Sequence, residues 1–297
     1  MQTLPNHKNK KYGGAWSIHD SSIKSLFYNT HFYWPEHVSV SDFLWDYGIW
    51  IQRGNNLVGY SDYKSKAYCN GTTEAFDKFY CRHTDKRLRL WRGEYFYHQI
   101  QRRELFNNFA WIDECAIMQG DVVAVSMPFS DTGNIPDDYD NVMQQCVDKE
   151  VPVLVDMAYL SLTKGITYNI HYPCIETVTT SLSKVFPVEH MRIGMRMNRE
   201  STDDTLDAYV KNDFPYVNTV GVEVGYRLIK HYEQNWVYNK WCREQQKICE
   251  ELEVEPSNCV ILGIDTKQLY PEYNRGGKTN RLCFSKLWDG RQGDLIQ

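Results

Sequence analysis

The stretch SLSKVFPVEHMRIG (181–194) sets Lys184 among small hydroxyl residues and places Arg192 eight positions later. A lysine amine in such a place can bond a carbonyl carbon or accept a proton. Ser181 and Arg192 are donors of the kind that hold an anion. Two more polar clusters follow apolar runs: Ser130 in the turn SDTG, and Asp156 with Tyr159 in VPVLVDMAY.

These residues need elements to position them. GDVVAVSMPFS and VPVLVDMAY are apolar on consecutive residues, as strands buried on both faces of a parallel sheet are. The helix-like DDYDNVMQQCVDKE between them completes a βαβ unit, and CIETVTTSLSK reads as a third strand. The polar clusters then fall at the carboxyl ends of the strands, where ligands of parallel α/β sheets bind. TTEAFDKFYCRH and YFYHQIQRRELFNNF read as helices, with LRLW a short strand between them. The chain from about residue 216 to 252 reads as helical for most of its length, with Pro256 as its stop. NCVILGI and NRLCFSKL are strand candidates beyond it. The first fifty residues, with the aromatic HFYWPEH, show no clean period and read as an arm or cap. The expected organisation is an arm over 1–50, a large domain over 51–225 and a small C-terminal domain over 226–297.

Composition narrows the partners. A formal charge of -5 over 297 residues gives no electrostatic case for nucleic acid or anionic lipid. Nine cysteines with no CxxC pair argue against a zinc ribbon or dithiol redox site, and the histidines lack metal-ligand spacing. No secretory signal and no run of eighteen apolar residues occur, so a cytoplasmic protein without a membrane span is expected. GGKTN (276–280) contains a GKT, but the leading glycine of a phosphate-binding loop is replaced by Glu272.

Taken together, the clusters resemble the pyridoxal 5'-phosphate site of fold-type I aminotransferases, the class I/II superfamily. SLSK followed by RIG is similar to that family's lysine motif, and Asp156-Met157-Ala158-Tyr159 to its D-x-A-Y. PFSDTG resembles the NPTG turn and NGTTEA (70–75) the phosphate-cup loop, so four motifs occur in the family's order. The resemblance implies an α/β fold of the aspartate aminotransferase type, a mostly parallel sheet with helices on both faces and a small α/β C-terminal domain. It implies that Lys184 carries the cofactor as a Schiff base and then moves the substrate proton. By the same resemblance Asp156 pairs with the pyridine nitrogen, and Tyr159 and Ser130 face the phenolic oxygen. Gly71, Thr72, Thr73, Ser181 and Arg192 hold the phosphate, Tyr95 stacks on the ring, and Arg281 in TNRLCFS binds the substrate carboxylate.

The activity so implied is transfer of an amino group between an amino acid and a 2-oxo acid, by a homodimer. A decarboxylase, lyase or racemase would use the same Lys184 and Asp156, and a non-catalytic ligand-binding protein on the same fold is a further alternative. The sequence departs from the pattern at Ser130, where the family has asparagine, and before the phosphate loop, where Tyr60 and Tyr63 are both candidates for a tyrosine that reaches a neighbouring subunit's site.

Overall fold

The computed structural model describes residues 10–28, 38–211 and 216–288; the HFYWPEH segment lies outside them. In chain order the strands are β1 Asn56–Val58, β2 Ser65–Asn70, β3 Arg87–Leu90, β4 Phe109–Trp111, β5 Asp121–Ser126, β6 Val153–Asp156, β7 Thr167–Asn169, β8 Ile175–Ser181, β9 Ile193–Asn198, β10 Glu255–Pro256, β11 Leu262–Asp265 and β12 Asn280–Cys283. The helices are α1 Ser21–Tyr28, α2 Val40–Trp50, α3 Thr72–Arg82, α4 Phe96–Glu104, α5 Tyr139–Asp148, α6 Thr205–Lys211, α7 Thr219–His231 and α8 Trp236–Glu251.

Seven strands form the central sheet in the order β2-β9-β8-β6-β5-β3-β4. All are parallel except β9, which pairs antiparallel with both β2 and β8. The contiguous apolar runs behave as their pattern predicts. Val123 and Val125 of β5 join one buried cluster with Val142, Met143 and Cys146 of α5, while Val122 and Ala124 join another with Phe76, Phe79 and Tyr80 of α3. Alternate side chains of one strand thus feed cores on opposite faces. Each fully buried Val or Phe contributes about 1.5–3 kcal/mol.

The chain ahead of the sheet is built into the core. Phe43, Leu44, Tyr47 and Trp50 of α2 are buried, and α2 packs on α7, where a Cβ at Gly225 would meet the Phe43 ring at 2.9 Å. The helical region after residue 216 is two helices and not one. Tyr232 turns extended at the end of α7, and its carbonyl accepts a 2.7 Å bond from the Trp50 indole. Nor does Pro256 end α8. Glu253 takes the left-handed conformation (φ 54°), Val254 N–H bonds the Cys249 carbonyl at 2.9 Å and Glu253 N–H bonds that of Glu250 at 3.2 Å, the Schellman arrangement.

β10, β11 and β12 form a small antiparallel sheet. Gln245 of α8 is buried and donates to the carbonyls of Ser257, Cys259 and Leu262 at 2.9, 3.1 and 2.8 Å, which ties that helix to the sheet. No helix among the described residues is long and apolar enough to cross a membrane.

Candidate active site

The parallel strands β5, β6 and β8 end at Ser126, Asp156 and Ser181, on one edge of the sheet. The reversed β9 starts at that same edge, with Ile193 opposite Asn70 and Gly194 opposite Ser181. Arg192, immediately before β9, therefore arrives beside the lysine segment. These ends enclose a cavity of 440 Å³ lined by Thr72, Thr73, Tyr95, Ser130, Asp156, Tyr159, Ser181, Lys184 and Arg192, among others. Of the residues expected at the site, Gly71 and Arg281 stand just behind this lining.

One end of the cavity is cationic and rich in donors. α3 starts at Thr72, after Gly71 at φ 76°, so its first N–H groups open on this end. Gly71 is needed sterically as well: a Cβ there would lie 2.2 Å from Arg192 Nη2. Arg192 Nη2 donates to Thr73 Oγ1 at 3.1 Å. Ser181 Oγ donates to the Ile193 carbonyl (3.0 Å) and accepts from the Ser183 N–H (3.1 Å). Ser183 Oγ, also at the cavity wall, is buried without a partner among the described residues.

In the middle lies Asp156, 4% exposed. Its Oδ1 accepts from the Ala158 N–H at 3.0 Å and from Thr179 Oγ1 at 3.4 Å. Its Oδ2 is 3.8 Å from Nε2 of His98, a fully buried ring whose Nδ1 is 2.6 Å from the Tyr80 hydroxyl. Sequence reasoning missed His98, whose only signal is its place one helical turn after Tyr95 at the start of α4.

Tyr95 is fixed by a second unforeseen residue, the fully buried Glu94. Glu94 accepts from the Tyr95 N–H (2.6 Å), from the Ser126 N–H (2.9 Å) and from the Ser126 hydroxyl. Ser126 Oγ in turn accepts from the Ser130 N–H at 2.8 Å, so one carboxylate orders both the tyrosine and the SDTG turn. Burial raises the Glu94 carboxyl above the usual range. Ser130 Oγ, buried at the wall, has no partner among the described residues.

Lys184 reaches in from the end of β8 and donates to the Ala15 carbonyl at 2.7 Å. Burial pulls its amine below the usual lysine value. Ala15 belongs to a segment, Gly14–Trp16, that lines the cavity and is fastened by Ser17 Oγ and His19 Nε2, 2.9 and 2.8 Å from the carboxylate of Glu189. Burial pushes the Tyr159 phenol up. Arg281 is 5% exposed in β12, its Nη1 bonded to the Ser130 carbonyl at 2.5 Å and its Nε without a partner among the described residues. Of the two tyrosines considered for a neighbouring site, Tyr63 is buried with its hydroxyl on the Ile170 carbonyl, and Tyr60 lies under the Lys66 ammonium at 4.9 Å.

No protein-family profile matches the chain, and no curated protein sequence matches it. Solved structures do. A structure of MppP soaked with the product 2-ketoarginine is 11% identical, with a TM-score of 0.65 over 92% of this chain and 93% of that one. An aminotransferase from Staphylococcus aureus is 13% identical, with a TM-score of 0.63 over 95% and 93%. A PLP-bound C-S lyase from Staphylococcus hominis is 11% identical, with a TM-score of 0.59 over 91% and 84%. Across nearly its whole described length, then, the chain has the aminotransferase-like fold expected from its motifs.

Proposed function

We propose that this protein is a pyridoxal 5'-phosphate-dependent aminotransferase that moves an amino group between an amino acid and a 2-oxo acid. The observation that carries this reading is the convergence, around one cavity, of a half-buried lysine, a buried carboxylate and an arginine beside a helix N-terminus. The residues fit the cofactor. Arg192 and Ser181 could take an anion, Asp156 supplies a carboxylate and Lys184 an amine on the same cavity, and the hydroxyls of Ser130 and Ser183, unpartnered among the described residues, call for a polar occupant.

When bound, the cofactor supplies an aldehyde and an electron-accepting ring. The protein's part follows from its side chains. Lys184, with its proton affinity lowered by burial, would be the residue that holds the aldehyde and that would take and return the substrate α-proton. Asp156 holds a proton at the ring nitrogen, and His98 backs its second oxygen. Arg192, Ser181 and the first N–H groups of α3 hold the phosphate. Tyr95 covers one ring face, Tyr159 and Ser130 face the phenolic oxygen, and Arg281 binds the substrate carboxylate with its planar fork. This reading includes a homodimer, for which exposed Trp45 and Ile49 on α2 and Val220 on the adjoining α7 supply apolar surface.

The test is to add pyridoxal 5'-phosphate, record the visible spectrum, reduce with borohydride and map the modified peptide. Label on Lys184, absent in Lys184→Ala, supports the cofactor assignment; no label on any lysine refutes it. A lyase is the second reading, favoured by the likeness to the C-S lyase. Products of an amino-donor screen separate the two, since a lyase releases the side chain and needs no 2-oxo acid.

A further inference from the structure

The segment 10–20 runs past the cavity as a strap tied at both ends. At one end the Tyr12 carbonyl accepts from the Cys283 N–H at 3.0 Å, and the Tyr12 ring stands edge-on to Tyr273 and Phe284, 5.7 and 6.2 Å away. At the other, Ile18 is buried in the main core and Asp20 pairs with Lys240 of α8. Between these ties Gly14, Ala15 and Trp16 line the cavity, and Lys184 donates to the Ala15 carbonyl, so the strap touches the amine itself. Gly13 and Gly14 lie between Tyr12 and Ala15, and Gly14 has a φ of 70°; backbone torsion is freest there, so the stretch 13–17 can shift without breaking either tie.

Glu189, five residues after Lys184 in the connection from β8 to β9, holds that stretch in place. One carboxylate oxygen accepts from Ser17 Oγ at 2.9 Å, and the other lies 2.8 Å from Nε2 of His19, which sits next to the buried Ile18. His19 thus orients the carboxylate from the fixed end of the strap, while Ser17 is gripped at its movable part. Arg192 Nη1 donates to the Glu189 carbonyl at 3.3 Å and steadies its backbone. Burial by itself raises the Glu189 carboxyl, yet its own backbone N–H, His19 and Ser17 hold it below the usual range, so the charged form that grips Ser17 best is the one present.

We propose that Glu189 is a positioning residue for Lys184: its grip on Ser17 keeps the Ala15 carbonyl against the amine, and release of that grip frees the amine to meet an incoming aldehyde or ketone. The inference rests on Lys184 being the reactive amine of the site, as proposed above.

Reductive methylation with isotope-labelled formaldehyde and cyanoborohydride, followed lysine by lysine by mass spectrometry, tests this on the full chain without added cofactor. Ser17→Ala and Glu189→Ala are each expected to methylate Lys184 about tenfold faster than wild type while the other lysines keep their rates. Glu189→Gln, which retains an oxygen for Ser17, gives a smaller rise. The Ser17→Ala/Glu189→Ala protein reacts no faster than either single variant, because both remove the same contact. An unchanged Lys184 rate in the single variants overturns the inference, as do rises that multiply in the double variant or that extend to all lysines. Borohydride labelling with pyridoxal 5'-phosphate separates this from the cofactor reading. Label on Lys184 with methylation rates unmoved by the variants refutes the grip alone; grip-dependent methylation with no pyridoxal label on any lysine refutes the cofactor reading alone.

Discussion

Replacing Asp131 by asparagine tests whether the wall beside Arg275 and Arg281 charges its carboxylate at a cost. Asp131 is buried where Gly93 and Gly277 leave room for it, and burial pushes its carboxyl from 3.8 up to about 6 against the opposing pull of Arg275 and Arg281. Each tenfold in proton affinity is worth about 1.4 kcal/mol, so keeping this group charged in the folded chain costs about 3 kcal/mol relative to water. The sign follows from which state holds the proton. Below about pH 4 the group is protonated folded and unfolded alike and has no effect; between about 4 and 6 the folded chain holds the extra proton, so stability falls as pH rises, and above about 6 the loss is complete. An asparagine at this position carries no charge at any pH. The Asp131→Asn protein is therefore expected to match wild type near pH 4 and to exceed it by about 3 kcal/mol at pH 8. Urea unfolding midpoints from pH 4 to pH 8, under reducing conditions and without added ligand, measure the difference. A variant less stable than wild type at pH 8 would refute the reasoning, because it would mean that the carboxylate offsets the arginine charges by more than its own burial costs.

Four other outcomes are expected. Gly71→Ala puts a methyl group against Arg192 at a positive φ, so pyridoxal 5'-phosphate affinity, read from visible absorbance, should fall by about tenfold or more while the fold loses about 1 kcal/mol. Gln245→Ala removes the donor to three carbonyls, of which those of Cys259 and Leu262 keep backbone partners, and should cost about 1–3 kcal/mol in chemical denaturation, an unchanged midpoint counting against the link between α8 and the small sheet. Glu253→Gly relieves a left-handed residue at the end of α8 and should gain up to about 1 kcal/mol, since the exposed Lys267 contact it gives up is worth little. Lys184→Met removes an amine whose proton affinity is lowered by burial; wild type is penalised where the unfolded chain is protonated and the folded one resists it, so the variant's gain should be present at neutral pH and vanish above about pH 10.5.

By itself the sequence determined the strands that carry the chemistry. β5 and β6 are legible because a strand buried on both faces must be apolar at successive positions, and the polar residues after those runs, Ser130, Asp156 and Tyr159, mark their carboxyl ends; β8, with Thr177, Thr179 and Thr180 buried, carries no such apolar run. The spacing of Lys184 and Arg192 was legible for a similar reason, since both lie within one short stretch of chain. Tertiary structure alone decided the rest. Only the antiparallel setting of β9 brings Arg192 to the same edge as Lys184, and direction within a sheet leaves no mark on a strand's composition. His98 behind Asp156 and Glu94 beneath Ser126 each join elements remote in sequence, where the partner and not the residue's own neighbours fixes its role. The break between α7 and α8 has the same origin, because the Trp50 indole 182 positions away takes the Tyr232 carbonyl that a continuous helix would have used.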